Sequence, residues 1–155
     1  MQDIKIKRAA KKDFPYIEEK LEKYILDGDN IQWRFFFVAR LERKTVAFGR
    51  IIDHGEYFEI ASLGVDYYHR KKGIGARILL SLAEKAKRLD SGKPVYCVTH
   101  RPSFFEKSGF EEAKDVPEKL ERKKCEKCKL DPANSKVMIF TSGSKCPISI
   151  PRFSS

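Results

Sequence analysis

Three β-type runs in close succession, followed by one long amphipathic helix and a buried strand, leave few architectures open. "RFFFVARLE" (34–42) and "KTVAFGRIID" (44–53) are rich in β-branched and aromatic residues. A short polar break separates them, which predicts a hairpin. "YFEIASLGV" (57–65) reads as a further strand after the turn "HGE". The apolar period then changes. Ile74, Ile78, Leu82, Ala86 and Leu89 lie on one face of a helix that stops at "DSGKP", and "VYCVT" (95–99) reads as a buried strand. Hairpins at the centre favour a mixed sheet over an all-parallel one.

The flanks complete one α/β domain over residues 1–155. "IKIKR" (4–8) alternates as a first strand. Asp13 suits an N-cap and Pro15 a first helical turn, and Phe14, Ile17, Leu21, Tyr24 and Ile25 then recur at helical spacing up to "DGDN". "PSFFEKSG" reads as a short helix stopped by Gly109, and "KVMIF" (136–140) as a last strand. The expected order is β-α-β-β-β-α-β-α-β. Residues 114–155 form a cysteine-containing extension with little periodicity, and 141–155 have none.

The chain is 41% hydrophobic and 12% aromatic, enough to build a core rather than stay disordered. No apolar run approaches the roughly 18 residues a membrane span needs. "MQDIKIKRAAKKDF" lacks the apolar stretch of a secretory signal, so a cytoplasmic protein is expected. Lys and Arg number 32 against 22 Asp and Glu, a net charge of +10. Such a surface attracts anions: phosphorylated cofactors, acidic metabolites or nucleic acid. It also simply keeps a protein in solution.

Between strand and long helix stands "RKKGIGA" (70–76). A helix start carries backbone N–H groups without intrahelical partners and partial positive charge. Glycine there lets the main chain approach a ligand closely, so a phosphate fits, and Arg70, Lys71, Lys72 and Arg77 strengthen the attraction. The bland reading is a glycine turn with a solvated basic face. G-x-x-x-x-G-K-[ST] is absent, which excludes a P-loop. The dinucleotide fingerprint needs a third glycine where Ile78 stands.

"RKKGIG" matches the [RQ]-x-x-G-x-[GA] signature of the GCN5-related N-acetyltransferases, and "EIASLGVDYYHRKKGIGARIL" resembles that family's central strand, turn and helix at full length. "FFEKSGFEE" (104–112) resembles its second conserved segment, and the agreement in element order runs over residues 4–113. The resemblance implies a central mixed, twisted sheet with helices on both faces and a splayed strand pair forming a slot for acetyl-CoA. It implies that main-chain amides of Arg70, Lys71, Lys72, Gly73, Ile74, Gly75 and Ala76 hold the pyrophosphate. Leu63, Gly64 and Val65 would bond the pantetheine arm, with Gly64 at the bulge that splays the strand. Phe104, Phe105 and Lys107 would lie along the CoA.

Acetyl transfer to an amine requires that the arriving ammonium lose a proton. Glu59 is the candidate base. Six residues before Val65, it is expected on the same face of the strand, and "EIASLGV" has the spacing at which several family members place a catalytic Glu. The family commonly supplies the oxyanion donor from a backbone N–H, here that of Val65. Phe105 stands where the family often has a Tyr acid. A thiol's pKa of about 8.5 lets thiolate leave without much help, and water, Tyr96 or Cys97 could supply the proton.

The run Thr99, Phe104, Phe105, Gly109, Phe110 is similar to that of N-acetylglutamate synthase-type members. The resemblance implies a small-molecule amine acceptor, an amino acid such as glutamate, whose carboxylates Arg34, Arg50, Lys93, His100 or Arg101 could pair. A protein N-terminus or lysine is the alternative acceptor, and the reading allows a homodimer. Cys125 and Cys128 form a C-x-x-C, half a structural zinc site, which Cys146 with His54, His69 or His100 could complete. A disulfide or reduced thiols are the other readings. A basic nucleic-acid-binding module is the non-enzyme alternative, from the aromatics and cations of "QWRFFFVARLER". Phe35 to Val38 fit a strand buried on both faces better, so nucleic acid is expected to bind only non-specifically.

Overall fold

A computed structural model of the chain describes residues 4–24, 26, 31–126 and 135–141, with the main chain alone at 125 and 126. In chain order the elements are β1 (Ile4–Arg8), α1 (Phe14–Lys23), β2 (Phe36–Leu41), β3 (Lys44–Asp53), β4 (Phe58–Val65), α2 (Ile74–Leu89), β5 (Val95–Thr99), α3 (Pro102–Glu106), β6 (Phe110–Glu112), α4 (Glu118–Glu126) and β7 (Lys136–Phe140). Single 3₁₀ turns precede α1 and β2, and a third lies in the loop before α2.

The strands form one seven-stranded sheet in the order β1-β2-β3-β4-β5-β7-β6. β1 to β4 run antiparallel, β4 and β5 parallel, and β7 pairs antiparallel with both β5 and β6. The expected mixed sheet is therefore present.

Helices cover both faces because strand residues on both faces are apolar. On one side Ile74, Ile78, Leu79, Leu82, Ala83 and Ala86 of α2 meet Phe37, Ala47, Ile51, Phe58, Ile60, Val95 and Cys97. On the other, Ile17 and Leu21 of α1 pack on Phe36, Val38 and Phe48, while Leu120 of α4 packs with Tyr96 and Val137. Each fully buried Val, Leu, Ile or Phe side chain there contributes about 1.5–3 kcal/mol relative to exposure. Among the described residues no helix is long and apolar enough to cross a membrane.

Asp13 occupies the N-cap position of α1 but makes no side-chain cap. Its two oxygens instead accept from Arg40 Nη2, at 2.7 and 2.9 Å, and the carboxylate also accepts from Thr45 Oγ1 at 3.2 Å and from the Ala10 N–H at 2.6 Å. A half-buried guanidinium on β2 outbids the helix end for the carboxylate. β6 and α4 are the two elements the sequence does not announce.

Candidate active site

β4 and β5 share only two register pairs, Phe58 with Val95 and Glu59 with Tyr96. Beyond Glu59 the strands continue to Val65 and Thr99 without pairing, which opens a slot between them. Asp66 donates its N–H to the Val46 carbonyl at 2.7 Å. By the alternation of a strand, the N–H and C=O of Val65 then turn away from β3, toward the slot.

The bulge on β4 lies two residues earlier than Gly64. Phe48 pairs with Gly64 and Arg50 with Ala61, so β4 holds one extra residue there, and Ser62 takes a left-handed φ of 56°. The Ser62 hydroxyl receives the Arg50 Nε at 3.1 Å. Gly64 is needed for space: a Cβ there would stand 2.6 Å from Phe48 Cζ.

The extra residue reverses the side-chain alternation. Phe58 and Ile60 face α2, and so do Leu63 and Val65, which pack against the same cluster. Glu59 therefore points to the opposite face from Val65, correcting the expectation that they share one. The carboxylate lies on the α1–α4 face, and the Val65 backbone N–H lies in the slot.

Glu59 is 2% exposed. His54 Nε2 lies 2.9 Å from its Oε1, and Lys123 Nζ, from α4, bonds its Oε2. Burial alone would raise the carboxyl's pKa. The hydrogen bond to His54 and the charge and hydrogen bond of Lys123 outweigh it, so the pKa lies below the usual glutamate value. The His54 ring stacks on Tyr57 at 4.7 Å between centroids. The sequence offers His54 only as a zinc candidate and gives Lys123 no role; His54 reaches Glu59 from the turn before β4, and Lys123 from α4, 64 positions away.

At the slot's mouth, Lys71 and Gly73 take left-handed backbone, with φ of 64° and 82°, and no side chain caps α2. Successive N–H groups in such turns form an anion-binding concavity. A Cβ built on Gly73 meets nothing within 4 Å, so the loop has open space there. Arg70, Lys71, Lys72 and Arg77 are exposed around it. Arg70 Nε donates to the Val65 carbonyl at 3.0 Å and its guanidinium lies 4.6 Å from the Tyr24 ring, tying the loop to the end of β4. Gly75 admits a close neighbour, since a Cβ there would lie 3.2 Å from Val65 Cγ2 and 3.3 Å from Phe104 Cζ. The side chain of Ile74 is buried against the sheet, and Ala76 follows in the first turn of α2.

Phe104 is partly buried beside that first turn, and Lys107 is exposed at the end of α3. Phe105 turns into the core and packs edge-on against Phe110 at 5.5 Å, so its ring is not available to line a ligand. Cys97 faces the α2 core, where burial raises its thiol well above the ordinary value. Tyr96 donates its hydroxyl to the Asp115 carbonyl at 3.3 Å. Of the cations considered for an acceptor's carboxylates, Arg50 is buried beside the bulge, and Lys93 is paired with Asp53 at 2.7 Å. Arg34 and Arg101 are exposed and His100 half-buried. Among the described residues no group of three His, Cys, Asp or Glu could hold a metal ion. Cys128, Cys146 and the side chain of Cys125 lie outside the described residues.

The arrangement is a strand-edge slot, a glycine-opened basic loop at one end and a buried carboxylate where the slot begins. Solved structures of this fold include the N-acetylglutamate synthase of Neisseria gonorrhoeae complexed with coenzyme A and N-acetyl-glutamate, at 18% identity and a TM-score of 0.70. That match covers 90% of this chain and 35% of the synthase, so the chain spans about a third of that protein's length. Rv2747 from Mycobacterium tuberculosis, solved in complex with CoA, matches at 21% identity and a TM-score of 0.70, over 88% of this chain and 98% of that one. Escherichia coli ElaA matches at 16% identity and a TM-score of 0.65, over 90% and 99%. No protein of curated function matches the sequence. The model of the acetyltransferase (GNAT) domain matches residues 32–112, from the turn before β2 through β6. Loop, splayed strands and that match agree: the chain belongs to the GNAT acetyltransferase family.

Proposed function

We propose that the protein moves the acetyl group of acetyl-CoA to the primary amine of a small amino acid such as glutamate. Main-chain amides from Arg70 to Ala76 grip the pyrophosphate, and the β4 edge at Leu63, Gly64 and Val65 bonds the pantetheine arm. Phe104 and Lys107 border the CoA, while Phe105 supports them from the core. The amine attacks the thioester carbon directly, Glu59 receives its proton, and the Val65 N–H holds the oxyanion. No side chain needs to protonate the thiolate, given its pKa of about 8.5.

One observation carries this reading: the strands part immediately after a buried carboxylate, so a thioester in the gap and an amine on Glu59 would meet. The amino-acid acceptor is supported by the fold shared with the gonococcal synthase and by the net charge of +10, which favours acidic substrates. We place the protein in the cytoplasm, one compartment that supplies acetyl-CoA.

Thiol release from acetyl-CoA, followed over a panel of free amino acids and of peptides, tests the proposal. Turnover should be selective for free acidic amino acids. Selective turnover of peptides would overturn the acceptor, and absence of saturable acetyl-CoA binding by calorimetry would overturn the whole reading.

A further inference from the structure

Lys123 Nζ is bonded to Glu59 Oε2. It reaches the carboxylate from α4, on the sheet face that Glu59 presents, at the last residue β4 pairs with β5 before the slot opens. The Lys123 side chain is 17% exposed, whereas Lys119 and Glu121 on the same helix are exposed. An amine seated on the base is the amine the base can deprotonate. Intramolecular placement also replaces a bimolecular encounter, an advantage that can reach many orders of magnitude in rate.

We infer that Lys123 is itself an acetyl acceptor, modified within its own molecule by the thioester bound in the slot. This rests on the reading of Glu59 as base. One ammonium proton of Lys123 passes to Glu59 and from there to water. The neutral Nζ adds to the thioester carbonyl carbon, a C–N bond forms and the C–S bond breaks. The second nitrogen proton leaves with the sulfur, so the products are Nζ-acetyl-Lys123, CoA thiol and one released proton.

Full-length protein is incubated with acetyl-CoA alone, and acetylation is followed peptide by peptide by mass spectrometry. Lys119 supplies the background, because an exposed lysine reacts chemically whereas a shielded one at an ion pair should not. Lys123 should be acetylated about 10-fold faster than Lys119, and Glu59→Gln should slow Lys123 about 100-fold with Lys119 unchanged. The fraction modified per unit time should not change on dilution of the wild-type protein, a readout that needs no variant. Lys123→Arg should remove the fast-modified site while keeping the cation.

If calorimetry shows acetyl-CoA bound while Lys123 reacts no faster than Lys119, this inference is wrong and the proposed function stands. A rate that scales with protein concentration overturns the intramolecular route. Absence of acetyl-CoA binding removes both.

Discussion

His54 Nε2 and Glu59 Oε1 stand 2.9 Å apart, so the turn before β4 fastens the buried carboxylate of that strand. Together with Lys123 this contact lowers the Glu59 pKa against the opposing effect of burial. The native state then binds that proton less readily than the unfolded chain. The stabilisation is fully present above the unfolded value of about 4.3 and is lost as pH falls through the lower folded value. The melting temperature of the wild type should drop on acidification through this range, and Glu59→Gln should flatten that drop. Melts across an acid pH series measure both.

Lys123→Met removes a cation from a carboxylate that stays buried. Burial then has less opposition, and the Glu59 pKa should rise. Loss of one partner of a buried pair costs about 3 kcal/mol, and the acid limb of the stability curve should move to higher pH than in the wild type. An unmoved limb would show that Lys123 contributes nothing to holding the charge.

Gly64→Ala places a methyl 2.6 Å from Phe48 Cζ. The aromatic ring must shift within the α1 cluster, at a cost of about 2 kcal/mol. Urea denaturation should report that loss, and Phe48→Leu in the same chain should recover part of it.

Gly73 separates fold from binding. Its φ of 82° disfavours any side chain, yet a Cβ meets no atom within 4 Å. Gly73→Ala should therefore cost only about 1 kcal/mol. Gly73→Glu puts bulk and negative charge where we place the pyrophosphate, and calorimetry should find acetyl-CoA binding abolished while the thermal melt stays cooperative.

Asp13→Ala leaves Arg40 without the carboxylate that meets it at 2.7 and 2.9 Å. The Arg40 side chain is 14% exposed, and the loss should be about 3 kcal/mol, read from denaturant unfolding. Arg40→Met with Asp13→Ala should be less damaging than Asp13→Ala alone.

What the sequence discloses follows what its residues do locally. β3, α2, β5 and β7 lie at the bounds their periodicity indicates, because each buries a regular set of apolar side chains. β6 is three residues long, too short to show alternation, and exists because β7 supplies its partner. α4 is mostly charged and anchored by Leu120, so it lacks an apolar face to read. The glycine loop is legible from its own residues. The face of Glu59 is not, because a left-handed serine carries no signature and a single inserted residue turns the strand over. Lys123 reaches Glu59 across 64 positions, a meeting that only the tertiary fold arranges.

β7 fills the gap between β5 and β6, yet it follows both in the chain. During synthesis, β5 remains an open edge until residues 136–140 have emerged from the ribosome, and β6 has no neighbour to join. A transcript cut short of Lys136 would release a protein whose slot wall is an unprotected strand, free to zip onto another nascent chain.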